Sequence, residues 1–185
     1  MTDVAIVGGG PAGLSAALFT AKNDLDTVVF DTDETWMHKA HLVNYLGIEN
    51  IGGTEFMERS RDQVDEFGVD RRQGAEVQTV ERDGDQFRVV TDEDDLAADY
   101  LILATGANRD LAEELGCAFT DEDVVDVGVD METSVDDAYA TGAMVRAEEW
   151  QAVISAGDGG AAALDILSKE KGEHFHDFDV PDDFE

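Results

Sequence analysis

The chain has 185 residues, 43% of them hydrophobic, and its 44 Asp and Glu against 12 Lys and Arg leave a formal net charge of −32. That apolar content supports one good core and excludes an intrinsically disordered chain, and with no basic patch to neutralise phosphates, nucleic-acid binding is excluded as well. The single cysteine, Cys117, excludes an intramolecular disulfide, a CxxC redox pair and a Cys-based zinc site.

Taken in order, "DVAIVGGG" reads as a buried parallel strand entering a glycine turn, "PAGLSAALFTAKND" as the helix after it and "DTVVFD" as the next strand. Pro11 suits a first helical turn, where its missing N–H costs nothing. Together they make a βαβ unit. "HLVNYLGIENIGG" has loop character. "GTEFMERSRDQVDEFG" is predicted helical, with Phe56, Met57, Val64 and Phe67 near one face and Gly68 as its stop. "AEVQTVERDGDQFRVVTDEDDLAADYLILATG" is predicted to be a β-meander with "DGD" as its first turn. "RDLAEELG" reads as a short helix or turn, "DVVDVGVDMETSV" as extended, and "YATG" as a short strand end. "WQAVISAGDGGAAALDILSKEKG" is a last helix. The fold class is therefore α/β: a Rossmann-like fold with a parallel sheet, flanking helices and a small meander. No linker divides the chain, so one domain is expected over residues 1–170, followed by a loosely held acidic tail over 171–185.

The acid is spread along the whole chain, and only four basic residues are Lys. Such a surface either attracts a basic partner or suits a cytoplasm of multimolar salt, where charges are screened to within roughly 3 Å. The second reading, a halophilic protein, is preferred. Residues 4–21 carry no charge, but Gly, Pro, Ser and Thr interrupt them and an acidic start precedes them. Neither a signal peptide nor a transmembrane helix is expected, and the cytoplasm is the expected location.

Gly8, Gly10 and Gly13 form GxGxxG, placed after a strand and opening a helix, with Asp31 closing the next strand. Gly8 permits the tight turn, Gly10 lets a pyrophosphate approach the backbone, and Gly13 lets the helix close on the sheet. The helix N-terminus then meets the phosphates, and Asp31 accepts from a ribose hydroxyl.

"VAIVGGGPAGLSAAL" resembles the opening of the two-dinucleotide-binding-domain flavoproteins, closest to their thioredoxin reductase branch. "HLVNYLGIENIGGTEFMERSRDQVDEFG", "FRVVTDEDDLAADYLILATGA" and "VDVGVDMETSVDDAYATGAMVRAEEWQAVISAGDGGAAALDIL" agree with that family in order, so the resemblance covers roughly residues 3–167. It implies FAD as cofactor and a homodimer as assembly. By the same resemblance, Gly8, Gly9, Gly10, Pro11, Ala12 and Gly13 hold the pyrophosphate and Asp31 the adenosine ribose. Asn44 bonds the ribityl or flavin region, and Val77 meets the adenine through its backbone. Ala104, Thr105 and Gly106 lie beside the adenosine half. Gly142 closes the returning strand, and Gln151 and Ala152 sit under the isoalloxazine at a helix N-terminus, whose partial positive charge favours negative charge on the ring.

The family builds an NADPH-binding domain carrying the redox cysteine pair after the first ATG; here "NRDLAEELGCAFTDED", residues 108–123, stands in its place, and no second GxGxxG occurs. Three further departures fall on the flavin half. Ala143 replaces an Asp that contacts the ribityl chain, "TDETWMHKAH" replaces a Gly-Gly-Gln segment, and Trp150 stands where Arg is frequent. The expected function is an FAD-binding oxidoreductase that passes electrons between an external donor and acceptor, such as a ferredoxin or a domain on a separate chain, and not an NADPH-dependent disulfide reductase. The alternative is a non-catalytic flavin- or ADP-nucleotide-binding sensor, carrier or subunit. An NAD-binding dehydrogenase domain is the weakest reading, since it gives Gln151, Ala152 and the two ATG segments no role.

Four histidines and two tryptophans complete the candidates. His38 and His41 fall in the loop expected near the flavin, either as proton donors or as solvated loop residues. His174 and His176 have metal-like spacing, but no metal site is expected in an acidic tail. Cys117 is expected to be an ordinary buried residue. Trp36 and Trp150 are expected either to stack on the flavin or to pack in the core or an interface.

Overall fold

In the computed structural model, which describes residues 2–180, the apolar run at the start forms β1 (Thr2–Val7) at the middle of a seven-stranded sheet. α1 (Pro11–Lys22) follows the glycine turn and leads to β2 (Thr27–Asp31), which pairs parallel with β1. Both strands are buried on both faces, as the unbroken runs "AIV" and "TVVF" require. A loop with a 3-10 turn at Trp36–Lys39 then crosses to β3 (His41–Leu42) and β4 (Ile51–Gly52), which pair with each other. The stretch read as loop thus contains a minimal hairpin.

α2 (Gly53–Asp65) buries Phe56, Met57 and Val64. Phe67, expected on the same face, lies beyond the helix end and is 44% exposed, because the chain turns at Gly68 with φ +79°. β5 (Asp70–Gln73) pairs parallel with β2 at the sheet edge. The meander follows as β6 (Val77–Asp83), β7 (Gln86–Thr91) and β8 (Asp95–Leu103), with Gly84 at φ +65° in the first turn.

β8 joins the two halves of the sheet. Its first residues pair antiparallel with β7, where Phe87 meets Ala98 and Val90 meets Asp95. Its end, "YLIL", is buried between β1 and β9 (Ala138–Ala140), parallel to both. Between them, residues 108–123 supply α3 (Asp110–Leu115), turns and one isolated bridge at Phe119. Residues 123–135, read as extended, form no named strand; isolated bridges join Val125 to Phe119 and Glu132 to Tyr139.

α4 (Ala152–Lys171) closes the fold and lies along α1. A Cβ on Gly159 would stand 2.0 Å from the carbonyl oxygen of Ala12, so only glycine permits this crossing. Alternation along β1 splits the core: Val4 and Ile6 face the helices with Leu14, Tyr139 and Ile166, while Ala5 and Val7 face Phe30, Phe87 and Met144. α4 reaches one residue into the expected tail. The tail beyond it is tied by Lys22 to Asp177 at 2.8 Å and by the Phe175 amide to Ser168. Residues 181–185 of that expected tail lie outside the described residues.

Candidate functional site

The register carries the ends of β2, β1, β8 and β9 to one edge: Val7 lies beside both Phe30 and Leu103, and Leu103 beside Ala140. β1 is where the strand order turns, with β2 and β5 on one side and β8 on the other. Open α/β sheets bind ligands in the crevice at such a switch point. Here the crevice is a groove of about 910 Å³, within the size range of cofactor sites.

The glycine turn is fitted to its neighbours. Gly8 has φ +111°, and a Cβ on it would stand 2.2 Å from the Ala104 carbonyl oxygen, so the first ATG crosses directly over the turn. A Cβ on Gly13 would stand 1.9 Å from the Gly8 carbonyl oxygen, which lets α1 close on β1. Gly9 is covered by the Asp31 carboxylate, 2.5 Å from where a Cβ would be. Gly10 caps α1 with no side-chain bond, and Gln151 does the same for α4. Two helix N-termini without side-chain caps therefore border the groove at Pro11 and Ala12, and at Gln151 and Ala152. Their amide groups and dipoles favour an anion.

Asp31 is 5% exposed and accepts from three donors: the Asp33 amide at 3.0 Å, Gln73 Nε2 at 3.2 Å and Arg61 Nη2 at 3.2 Å. Arg61 also donates to Asp33. Arg61 first, and then His38, hold the Asp33 carboxyl below its usual value. Arg61 Nε is buried without a partner. Arg61 and Gln73 were not foreseen from sequence. The available signal was Arg61 one helical turn after the buried Met57 on α2.

At the other end, Asn44 Nδ2 donates to Gln151 Oε1 at 2.8 Å, and the rings of Trp36 and Trp150 meet edge to face with centroids 5.5 Å apart. Both tryptophans line the groove; Asn44 reaches it through Gln151. Gly142 has φ +72° and faces Ala12 and Ser155. Ala143 turns its carbonyl to Arg109 Nη2 at 3.2 Å, and Met144 its carbonyl to Arg109 Nε at 3.0 Å.

Of the remaining predicted residues, Val77, Ala104, Thr105 and Gly106 line the groove, and Gly13 lies behind its wall. His38 and His41 lie outside the lining. His38 bonds Asp33 at 2.8 Å and Thr54 at 3.1 Å, and His41 pairs with Gly52 in the hairpin. Cys117 is buried in the core, which pushes its thiol up. His176 stacks on Phe178. Asp130, Glu132 and Asp165 approach one another within 4.8 Å, but Lys169 pairs with Glu132 at 2.5 Å and Asp165 at 3.7 Å and offsets their charge. The groove itself is bordered by Asp31, Glu34, Glu76, Asp110 and Glu114, and among the described residues no Lys, Arg, His or Cys lines it. No helix among the described residues is long and apolar enough to cross a membrane.

Comparison with known proteins agrees with this architecture. The profile of the pyridine nucleotide-disulphide oxidoreductases matches residues 2–108 and, in an overlapping match, 48–160. A thioredoxin reductase of Listeria monocytogenes is 33% identical over 124 residues, 65% of this chain and 37% of that protein. The match therefore spans little more than a third of the relative's length. Among solved structures, a thioredoxin reductase from Gloeobacter violaceus aligns with TM-score 0.86 at 20% identity, covering 96% of this chain and 98% of that one. A ferredoxin-flavin thioredoxin reductase from Clostridium acetobutylicum aligns with TM-score 0.79 at 20% identity, covering 92% and 98%. With its family profile spanning the glycine turn, both ATG segments and the start of α4, the chain belongs to the pyridine nucleotide-disulphide oxidoreductase family.

Proposed function

We propose that this chain binds FAD in the groove and acts as a flavoprotein oxidoreductase that passes electrons between an external donor and an external acceptor, with no NAD(P)H site of its own. The observation that carries this reading is the pairing of two helix N-termini without side-chain caps, those of α1 and α4, on one groove of about 910 Å³. On the ADP half, Gly8 packs on the Ala104 carbonyl and Gly13 on the Gly8 carbonyl, where a Cβ would collide, and Asp31 lies beside Gly9, already paired with Arg61. Residues 8–13 and Asp31 would hold pyrophosphate and ribose, with Val77, Ala104, Thr105 and Gly106 beside the adenosine. Gly142, Gln151, Ala152 and, through Gln151, Asn44 would border the flavin half. FAD supplies the redox chemistry when bound; the chain supplies binding, orientation and electrostatics.

The external donor and acceptor are supported by the shortness of residues 108–123, where a six-residue helix, turns and one isolated bridge lead from the first ATG to the returning segment. With a single cysteine in the sequence, disulfide reduction through a CxxC pair is outside the proposal. The partners fit the class of small redox proteins such as ferredoxins. A homodimer and a cytoplasmic location belong to the same proposal.

The test is to purify the protein in molar salt, record its visible spectrum, and add NADPH, NADH and dithionite in turn. A yellow protein bleached by dithionite alone supports the proposal. Bleaching by NAD(P)H without a partner contradicts the external-donor part, and a colourless protein that takes up no FAD ends the flavin part. The second reading, a non-catalytic flavin carrier or sensor, is favoured by the absence of His, Cys and Lys from the lining among the described residues. Turnover with reduced ferredoxin and an electron acceptor separates the two.

A further inference from the structure

Trp36 and Trp150 are 66% and 41% exposed, yet neither is loosely placed. Thr35 caps the 3-10 turn that carries Trp36 by accepting from the Met37 amide. The Trp150 indole donates to the Arg146 carbonyl at 2.9 Å, and Arg146 is held by two bonds to the buried Asp158, at 3.2 and 2.5 Å. The Asn44–Gln151 bond ties the same two regions a second time. Aromatic surface fixed in water is unfavourable unless something covers it.

The place of this pair suggests what covers it. Asp31 and Val77 mark one half of a bound dinucleotide and the start of α1 its phosphates, so an extended ligand runs on toward α4. There the polar grip is thin. Ala143 offers a methyl group, and the polar side chains at the α4 end of the groove are Gln151, Ser155 and Thr141, whose hydroxyl already donates to the Leu103 carbonyl. Holding a planar ring at this end falls to aromatic surface.

We propose that Trp36 and Trp150 form a stacking site for the isoalloxazine ring, so that this chain grips the flavin half by aromatic faces. The inference rests on the FAD reading above. Stacking on an aromatic side chain is insensitive to hydrogen-bond pattern, because every planar heterocycle presents a π-face.

The experiment measures FAD and ADP affinity by titration in molar salt for the full chain and for Trp36→Ala, Trp150→Ala and Trp150→Phe. Trp36 and Trp150 are the two tryptophans of the sequence, so indole emission follows this pair directly. Each alanine variant is expected to weaken FAD about tenfold, equal to about 1.4 kcal/mol, with ADP affinity unchanged. Emission of the bound flavin, quenched by contact with an indole, is expected to rise, and Trp150→Phe to keep most of the affinity. Unchanged FAD affinity in both alanine variants overturns the proposal and leaves the FAD reading standing. Equal losses of FAD and ADP also overturn it, marking the pair as structural or as a surface for another protein. A native chain that binds ADP but not FAD overturns both readings, and does so before any substitution is made.

Discussion

Arg61 Nη2 lies 3.2 Å from Asp31 Oδ2, and the two side chains are 12% and 6% exposed. The acid that closes β2 is therefore neutralised from α2 before any ligand reaches it. Removing one member of a buried ion pair leaves the other charged and poorly solvated, at a cost of about 3 kcal/mol. Gln73 and the Asp33 amide still bond Asp31, so Arg61→Ala is expected to cost about 2 kcal/mol at fixed salt. Denaturant unfolding measures this. A change below about 0.5 kcal/mol, the scale of an exposed pair, would show that the contact contributes nothing to the fold.

Glycines on the α1 face separate backbone packing from ordinary helix propensity. Gly13→Ala and Gly159→Ala each push a methyl onto a carbonyl oxygen, at 1.9 and 2.0 Å, where no side-chain rotation relieves the contact. Each is expected to cost about 3 kcal/mol or more. Gly160→Ala meets Phe19 at 3.4 Å, an ordinary contact, and is expected to be neutral or stabilising by up to about 1 kcal/mol. Thermal unfolding of the three variants should place Gly160→Ala apart from the other two.

The same contrast explains what could be read in advance. β1, the glycine turn, α1 and β2 were legible because buried parallel strands leave unbroken apolar runs and the turn needs glycine at fixed positions. β8 was legible at its end, where "YLIL" is buried on both sides. β5 was not, because "DRRQ" carries no apolar pattern and its pairing with β2 at the edge is decided by where α2 delivers it. Asp31 could be placed at the end of β2 from sequence, and it lines the groove, but its partners Arg61 and Gln73 come from α2 and β5 and meet only in three dimensions. Phe67 was misplaced by a helical period carried two residues past the end of α2.

Acid should loosen the segment beside the groove. Asp33 carries a carboxyl lowered from its usual 3.8, first by Arg61 and then by His38. A lowered carboxyl contributes stability that is present above the unfolded value and lost as pH falls through the folded one. The pH window therefore starts near 3.8 and extends downward. Asp33→Asn removes this contribution and should flatten the acid limb of the stability curve. The contribution is small, since Asp33 is 42% exposed and salt screens it. Unfolding midpoints of the two proteins between pH 5 and 2 in molar KCl test the sign; identical acid limbs would remove Asp33 from the account.

Salt should act on the groove in the direction opposite to ordinary ion pairing. The groove is bordered by five acids, among the described residues no Lys or Arg lines it, and the chain carries a net charge of −32, so the long-range field repels an anionic dinucleotide. The amides at the α1 N-terminus attract the phosphates only at short range. Raising ionic strength from about 0.1 M to 1 M shortens the Debye length from about 10 Å to about 3 Å, which cancels the repulsion and leaves the short contacts in place. FAD affinity is therefore expected to rise with KCl. Because a ligand that binds the folded chain stabilises it, the unfolding temperature with FAD should rise more steeply with salt than without it. Titrations at stepped KCl concentrations measure both. Affinity that falls with salt would mean that the groove is positive despite its lining, and full stability in dilute buffer would end the halophilic reading of the surface.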